Sequence, residues 1–241
     1  ILARAAALCL SVFICGCPLL AASPADAPQL LSVQKIWDAA PHNAFTDLTR
    51  FSNQWFCTFR ESQAHVGGNG NIRALTSTDG EQWHSAALLT EDGIDLRDPK
   101  FSLAPDGRLM LVLGGSVYEG KVLKERQPRV AFSKDGRAWT APRRVLDKGD
   151  WLWRVTWHKG RAYGITYGND WGIRLVESSD GTDWHLLAKL DVSGRPNEAT
   201  VRFLPNDDCV ALVRREALDQ EAWIGQSPPP YTNWTWHPAG M

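Results

Sequence analysis

The sequence predicts an all-β fold, a β-propeller of four-stranded blades. Three observations carry this: a seven-residue turn pattern that occurs three times, a strand–turn–strand unit that occurs four times, and no long amphipathic helical stretch to compete with them.

The turn pattern is S-x-D-G-x-x-W, read at Ser77–Trp83, Ser133–Trp139 and Ser178–Trp184, with Asp79, Asp135 and Asp180 spaced 56 and 45 residues apart. Each copy follows a strand-like run, such as Ile72–Thr76 or Arg129–Phe132. Asp-Gly between two extended runs signals a tight hairpin, because Gly accepts a positive φ at little cost. The Asp carboxylate is expected to accept bonds from the N–H groups of its own turn. Trp83, Trp139 and Trp184, three residues after the Gly, are expected to fold back over the turn and be buried there. These six residues are read as structural.

The strand–turn–strand units run from Thr46 to Glu61, Arg97 to Gly115, Trp153 to Gly168 and Asn197 to Arg215. Taking Asp47, Asp98, Arg154 and Glu198 as equivalent gives intervals of 51, 56 and 44 residues. A repeat of that length with four short strands is the signature of a propeller blade. The fourth turn falls at Ser227–Trp234, which keeps Ser and Trp but has lost Asp-Gly.

Composition narrows the function classes. With 26 basic against 27 acidic side chains in 241 residues there is no electrostatic footprint for nucleic acid. Residues 1–27 read as a signal peptide: Arg4, an apolar run from Ala5 to Ile14, and an A-x-A site at Ala25–Ala27. The same segment has a second reading as a lipoprotein leader, with a lipid anchor at Cys17. Either way the chain is expected to be exported, to a periplasmic or extracellular location, with residues 28–241 as one propeller domain. No other apolar run approaches the length of a membrane span. Cys57 and Cys209 sit in apolar strand-like runs and read as small buried hydrophobes. The six His show no ligand spacing, so neither a metal nor another cofactor is expected. Twelve Trp is an unusual count, and points to flat packing surfaces or to sugar stacking.

The three turns resemble the Asp-box (bacterial neuraminidase) repeats of the sialidase superfamily, and the resemblance covers about residues 30–241. It implies a sialidase-like six-bladed propeller of which about four blades are present, the alternative for the four visible units being a four-bladed ring, and an exo-α-sialidase type of glycoside hydrolase acting on terminal acidic sugars of glycans. It places the turns on the rim, away from the active site. It also implies a Glu opening a blade and an Arg sixteen residues later, which Glu198 and Arg214 match. Where the family carries its first Arg, this chain has Thr46, and the loop from Ser62 to Ile72, where the family carries its acid/base Asp, has only His65.

In a propeller the innermost strands line a central channel, so polar residues at their starts converge on one mouth. On that argument Glu198, Asp47 and Asp98 are the candidate catalytic carboxylates. Arg60, Arg97, Arg154, Arg214, Arg215 and Tyr167 are the candidates for binding substrate, since guanidinium forks grip a sugar carboxylate. The alternative is a non-catalytic propeller that binds glycans or a protein partner.

Overall fold

The computed structural model describes residues 29–240; the expected signal segment, with Cys17, lies outside the described residues. The described residues fall into two units, 29–35 and 36–240. The described part of the first, 29–35, is exposed and carries neither strand nor helix.

The second unit consists of four antiparallel four-stranded sheets, each built from consecutive strands. Blade 1 holds β1 (His42–Phe51), β2 (Gln54–Ser62), β3 (Asn71–Ser77) and β4 (His84–Leu89). Blade 2 holds β5 (Asp95–Leu103), β6 (Leu109–Glu119), β7 (Val122–Ser133) and β8 (Arg143–Arg144). Blade 3 holds β9 (Trp151–His158), β10 (Arg161–Tyr167), β11 (Ile173–Ser178) and β12 (Trp184–Leu190). Blade 4 holds β13 (Pro196–Phe203), β14 (Cys209–Arg215), β15 (Trp223–Ser227) and β16 (Thr235–Pro238). The all-β propeller is as expected. The described residues build four blades, and nothing in them supports the six-bladed type that the resemblance implies.

The blades are held by packing between sheets. A strand turns successive side chains to opposite faces, so a strand sandwiched between two blades must be apolar at every position. In β6, Leu109, Leu111 and Leu113 pack towards blade 1 with Phe56, Ile72 and Leu89, while Met110 and Val112 pack towards blade 3 with Leu152 and Val155. Blades 3 and 4 share a third cluster, in which Ile165 and Leu175 meet Val201, Ala211 and Val213. Cys57 and Cys209 are free and buried, as read from the sequence, and burial raises their thiols to about 11 and about 12.

The three S-x-D-G-x-x-W turns are near-identical. One carboxylate oxygen of Asp79 accepts the N–H groups of Glu81 and Gln82, at 2.8 and 2.9 Å, and the hydroxyl of Ser77. Asp135 and Asp180 do the same with their own turns. Each Trp indole donates to the Gly carbonyl three residues earlier, at 2.9–3.1 Å. One expectation needs correcting: Trp83, Trp139 and Trp184 are half-buried rather than buried, because each ring packs against the edge of an apolar cluster and not within it. In blade 4, Tyr231 replaces the Gly, takes φ +68° and accepts the indole N–H of Trp234 at 2.8 Å. Its ring is buried against Tyr163 and Phe203, which holds the strained backbone in place.

Candidate active site

Each innermost strand carries a β-bulge at the same height. Two residues stand opposite one of the second strand: Phe45–Thr46, Asp98–Pro99, Trp153–Arg154 and Asn197–Glu198. Bulges are frequent beside active sites because the extra residue re-aims a side chain. Phe45 and Asp98, first in their bulges, have φ of +65° and +50°. The bulges also correct the equivalence drawn from spacing. Arg154 and Glu198 do match each other, but Asp98 sits one position earlier. Asp47 lies just beyond its bulge and matches Lys100. An inserted residue shifts the register, so a count along the chain misplaces whatever follows.

Two levels result. At the deeper one, Asp47 accepts both guanidinium nitrogens of Arg154, at 2.7 and 3.4 Å, and the N–H of Phe101 at 2.8 Å. This carboxylate ties β1 to β5 and β9. Beside it lies Lys100, buried, with its ammonium 4.9 Å from the centroid of the Trp153 ring and donating to the Pro99 carbonyl. Burial lowers the pKa of Lys100, while the charges of Asp47, Asp98 and Glu198 raise it and that of Arg154 lowers it further. The charges of all four inner residues singled out from the sequence therefore act on one group, and that group is a lysine absent from the sequence-based candidates.

At the upper level a cavity of about 380 Å³ is lined by Asp98, Glu198, Tyr167, Arg97, Arg126, Trp151, Tyr118, Phe45 and His65. Burial raises the pKa of Asp98, against the opposing pull of Arg97, Lys100 and Arg60. Burial also raises that of Glu198, which Asp98 raises further while Arg214 and Lys100 lower it. Tyr167 is held well above the usual phenol value by burial and by the charge of Glu198. Arg97 donates to the Tyr118 hydroxyl at 2.8 Å and lies over the Phe45 ring. Arg126 donates to the Gly149 carbonyl and lies over Trp151 and Tyr167.

The remaining candidates separate from this group. Arg60 is fully buried: its Nε donates to Asp95 at 2.8 Å, and its other nitrogens donate to the carbonyls of Ala64 and Gly68. Every arm is occupied, so its assignment to substrate is corrected to a clasp between blades 1 and 2. Arg215 is likewise engaged, by the Ser193 and Glu221 carbonyls, Asp219 and the Trp223 ring, and it shapes loops rather than the mouth. The guanidinium of Arg154 is taken up by Asp47. Arg214 is half-exposed, 3.5 Å from Glu198 and paired with Glu216; it lines a separate groove that Glu198 borders from its other side.

Sequence reasoning missed Lys100, Arg126, Tyr118 and Trp151. One available signal was length: β6 and β7, at 11 and 12 residues, are the longest strands and carry Tyr118 and Arg126 to the mouth. No group of His, Cys, Asp and Glu suited to a metal ion occurs among the described residues.

No protein-family model matches the sequence, and no curated protein matches it either. Solved structures do. A protein of unknown function from Dyadobacter fermentans has a TM-score of 0.74 at 20% identity, over 83% of this chain and 70% of that one. An α-L-arabinanase of Penicillium chrysogenum complexed with arabinobiose has a TM-score of 0.64 at 16% identity, over 82% of this chain and 67% of that one. An α-L-arabinofuranosidase of Fusarium graminearum with arabinobiose has a TM-score of 0.63 at 18% identity, over 82% and 66%. At these identities the likeness is one of fold. The propeller stands. The neighbours lend nothing to the sialidase that the turns resemble.

Proposed function

We propose that the protein is a glycoside hydrolase whose scissile sugar occupies the mouth cavity. One observation carries this reading: Asp98 and Glu198, on the bulges of two different blades, line the same cavity and both have raised pKa values. Glycosidases need one carboxyl group that keeps its proton to protonate the leaving oxygen, and one carboxylate that attacks or activates water. Asp98 has three cations acting on it and is the one to hold the charge. Glu198, open to the mouth and to the neighbouring groove, is the proton donor. Tyr167, Arg97 and Arg126 would hydrogen-bond the bound ring. Two of the neighbours are named as arabinan- or arabinoside-cleaving enzymes, which supports the class of reaction.

A second reading concerns the sugar. Two guanidinium groups at the mouth, Arg97 and Arg126, favour a substrate with a carboxylate, such as a terminal acidic sugar. Export, through the leader at residues 1–27, belongs to the same proposal.

The test is hydrolysis of arabinan, β-1,3-galactan and sialoside substrates by the full chain, with Glu198→Gln and Asp98→Asn. Cleavage of one class, lost by at least about a hundredfold in both variants with thermal transitions no lower than that of the wild type, is expected. Turnover unaltered by either variant overturns the site. Inactivity on every substrate favours the non-catalytic, glycan- or protein-binding propeller.

A further inference from the structure

Of the twelve Trp, eleven are buried or half-buried; Trp171 is exposed, at 41%. It sits at the tip of the β10–β11 turn, four residues after Tyr167 of the mouth. Its φ is +59°, a conformation that a bulky side chain rarely takes and that persists only where the surroundings hold it. The surroundings do. The N–H of Trp171 donates to the Gly168 carbonyl and that of Gly168 to the Gly172 carbonyl, while Asp170 accepts the N–H of Gly172 and pairs with Arg174 at 3.6 Å.

One face of the indole is covered by the guanidinium of Arg195, 4.2 Å from the ring centroid. Arg195 is itself in the left-handed region, φ +55°, three residues before Glu198. Its loop is pinned from β14 and beyond: Arg215 donates to the Ser193 carbonyl at 2.7 Å and Glu216 to the Arg195 carbonyl. Two residues in the left-handed region, on the loop that follows Tyr167 and the loop that leads into Glu198, thus meet and hold one large aromatic ring out in solvent.

We propose that Trp171 is a stacking platform for a second sugar ring of the substrate, adjoining the ring cleaved in the mouth. Pyranose and furanose rings carry a face of C–H groups that packs on an indole. A guanidinium behind the ring holds it in orientation, so little side-chain freedom is lost on binding. A ring buried in the fold would need no such support, and a surface ring with no ligand would gain nothing from the strain. The ligand class is an oligosaccharide of at least two residues, bound with one ring in the cavity and the next on Trp171. This rests on the glycosidase reading and names a subsite for it.

The experiment is isothermal titration of arabinotetraose and β-1,3-galactotriose into the full chain and its Trp171→Ala and Trp171→Phe variants, with circular dichroism to verify folding. For the oligosaccharide that the wild type binds, Trp171→Ala is expected to weaken Kd about tenfold, and Trp171→Phe to restore most of it. The ratio of kcat/KM for that oligosaccharide to kcat/KM for the matching aryl monosaccharide should fall by a similar factor in Trp171→Ala. Wild-type affinity retained in a folded Trp171→Ala overturns the subsite and leaves the glycosidase reading standing. If the wild type neither binds nor cleaves any of these sugars or a sialoside, the glycosidase reading falls and the subsite with it.

Discussion

Arg154 reaches from the inner strand of blade 3 to the inner strand of blade 1 and grips both oxygens of Asp47, 107 residues away in sequence. The same carboxylate accepts a backbone N–H of blade 2. Three blades therefore meet on one ion pair at the channel axis. Asp47 was a candidate catalyst from sequence; with both its oxygens occupied, it is better suited to holding the channel together than to meeting a substrate.

That role has a consequence for stability. The two side chains are 12% and 23% exposed, so removing one partner leaves a largely buried charge without its counter-ion. Asp47→Asn and Arg154→Met are each expected to lower the unfolding free energy by roughly 3 kcal/mol. The double variant should lose much less than the sum, with a coupling of about 1–3 kcal/mol in urea titrations. Additive losses would show that the pair does not act as a unit.

Activity should depend on pH through Glu198. Burial raises its pKa, so it keeps its proton above the ordinary value of 4.5. A proton donor works while protonated, so kcat/KM should fall as pH rises through the raised pKa, and Glu198→Gln should abolish that limb. The sign for stability follows. A carboxyl whose folded pKa is raised destabilises the fold increasingly as pH climbs from its unfolded to its folded value. Glu198→Gln should then unfold at a higher temperature than the wild type at neutral pH, and at the same temperature under acidic conditions.

The rim turns have the opposite sign. The N–H groups of Gln82 and Glu81 and the hydroxyl of Ser77 pull Asp79 from 3.8 down to about 2. Its contribution is fully present above 3.8 and is lost as pH falls towards about 2. Asp79→Asn should therefore flatten part of the decline in the urea midpoint over that range. A decline as steep as in the wild type would show that the turn carboxylate carries no linkage.

Two turn glycines separate conformation from packing. Gly80 and Gly136 both have positive φ, +81° and +74°. A Cβ on Gly80 would meet the Trp55 ring at an ordinary 3.7 Å, whereas one on Gly136 would stand 2.3 Å from the Phe56 ring, inside the contact between blades 1 and 2. Gly80→Ala should cost about 1 kcal/mol, the conformational share alone. Gly136→Ala should cost about 1–3 kcal/mol more, because Phe56 must leave its packing. Equal costs in thermal melts would place Phe56 outside the interface.

The sequence by itself determined the blades. The Asp-Gly-x-x-Trp turns are local, with carboxylate, backbone N–H and indole all within seven residues, so their geometry is decided before any long-range contact forms. The fourth turn was legible as a degenerate copy for the same reason. Glu198, Asp98 and Tyr167 were found at the mouth because polar residues at inner-strand starts and second-strand ends have one direction in which to converge. Tertiary structure alone decided the rest. Whether a charged side chain faces a ligand or a partner depends on groups 35 to 107 residues away: Asp95 for Arg60, and Asp47 for Arg154. The bulges added one residue to every inner strand, moved Asp47 below the mouth and set Lys100 at the axis. A charge pattern records which residues are polar; the register of a strand, and the distance across a channel, decide which charges find each other first.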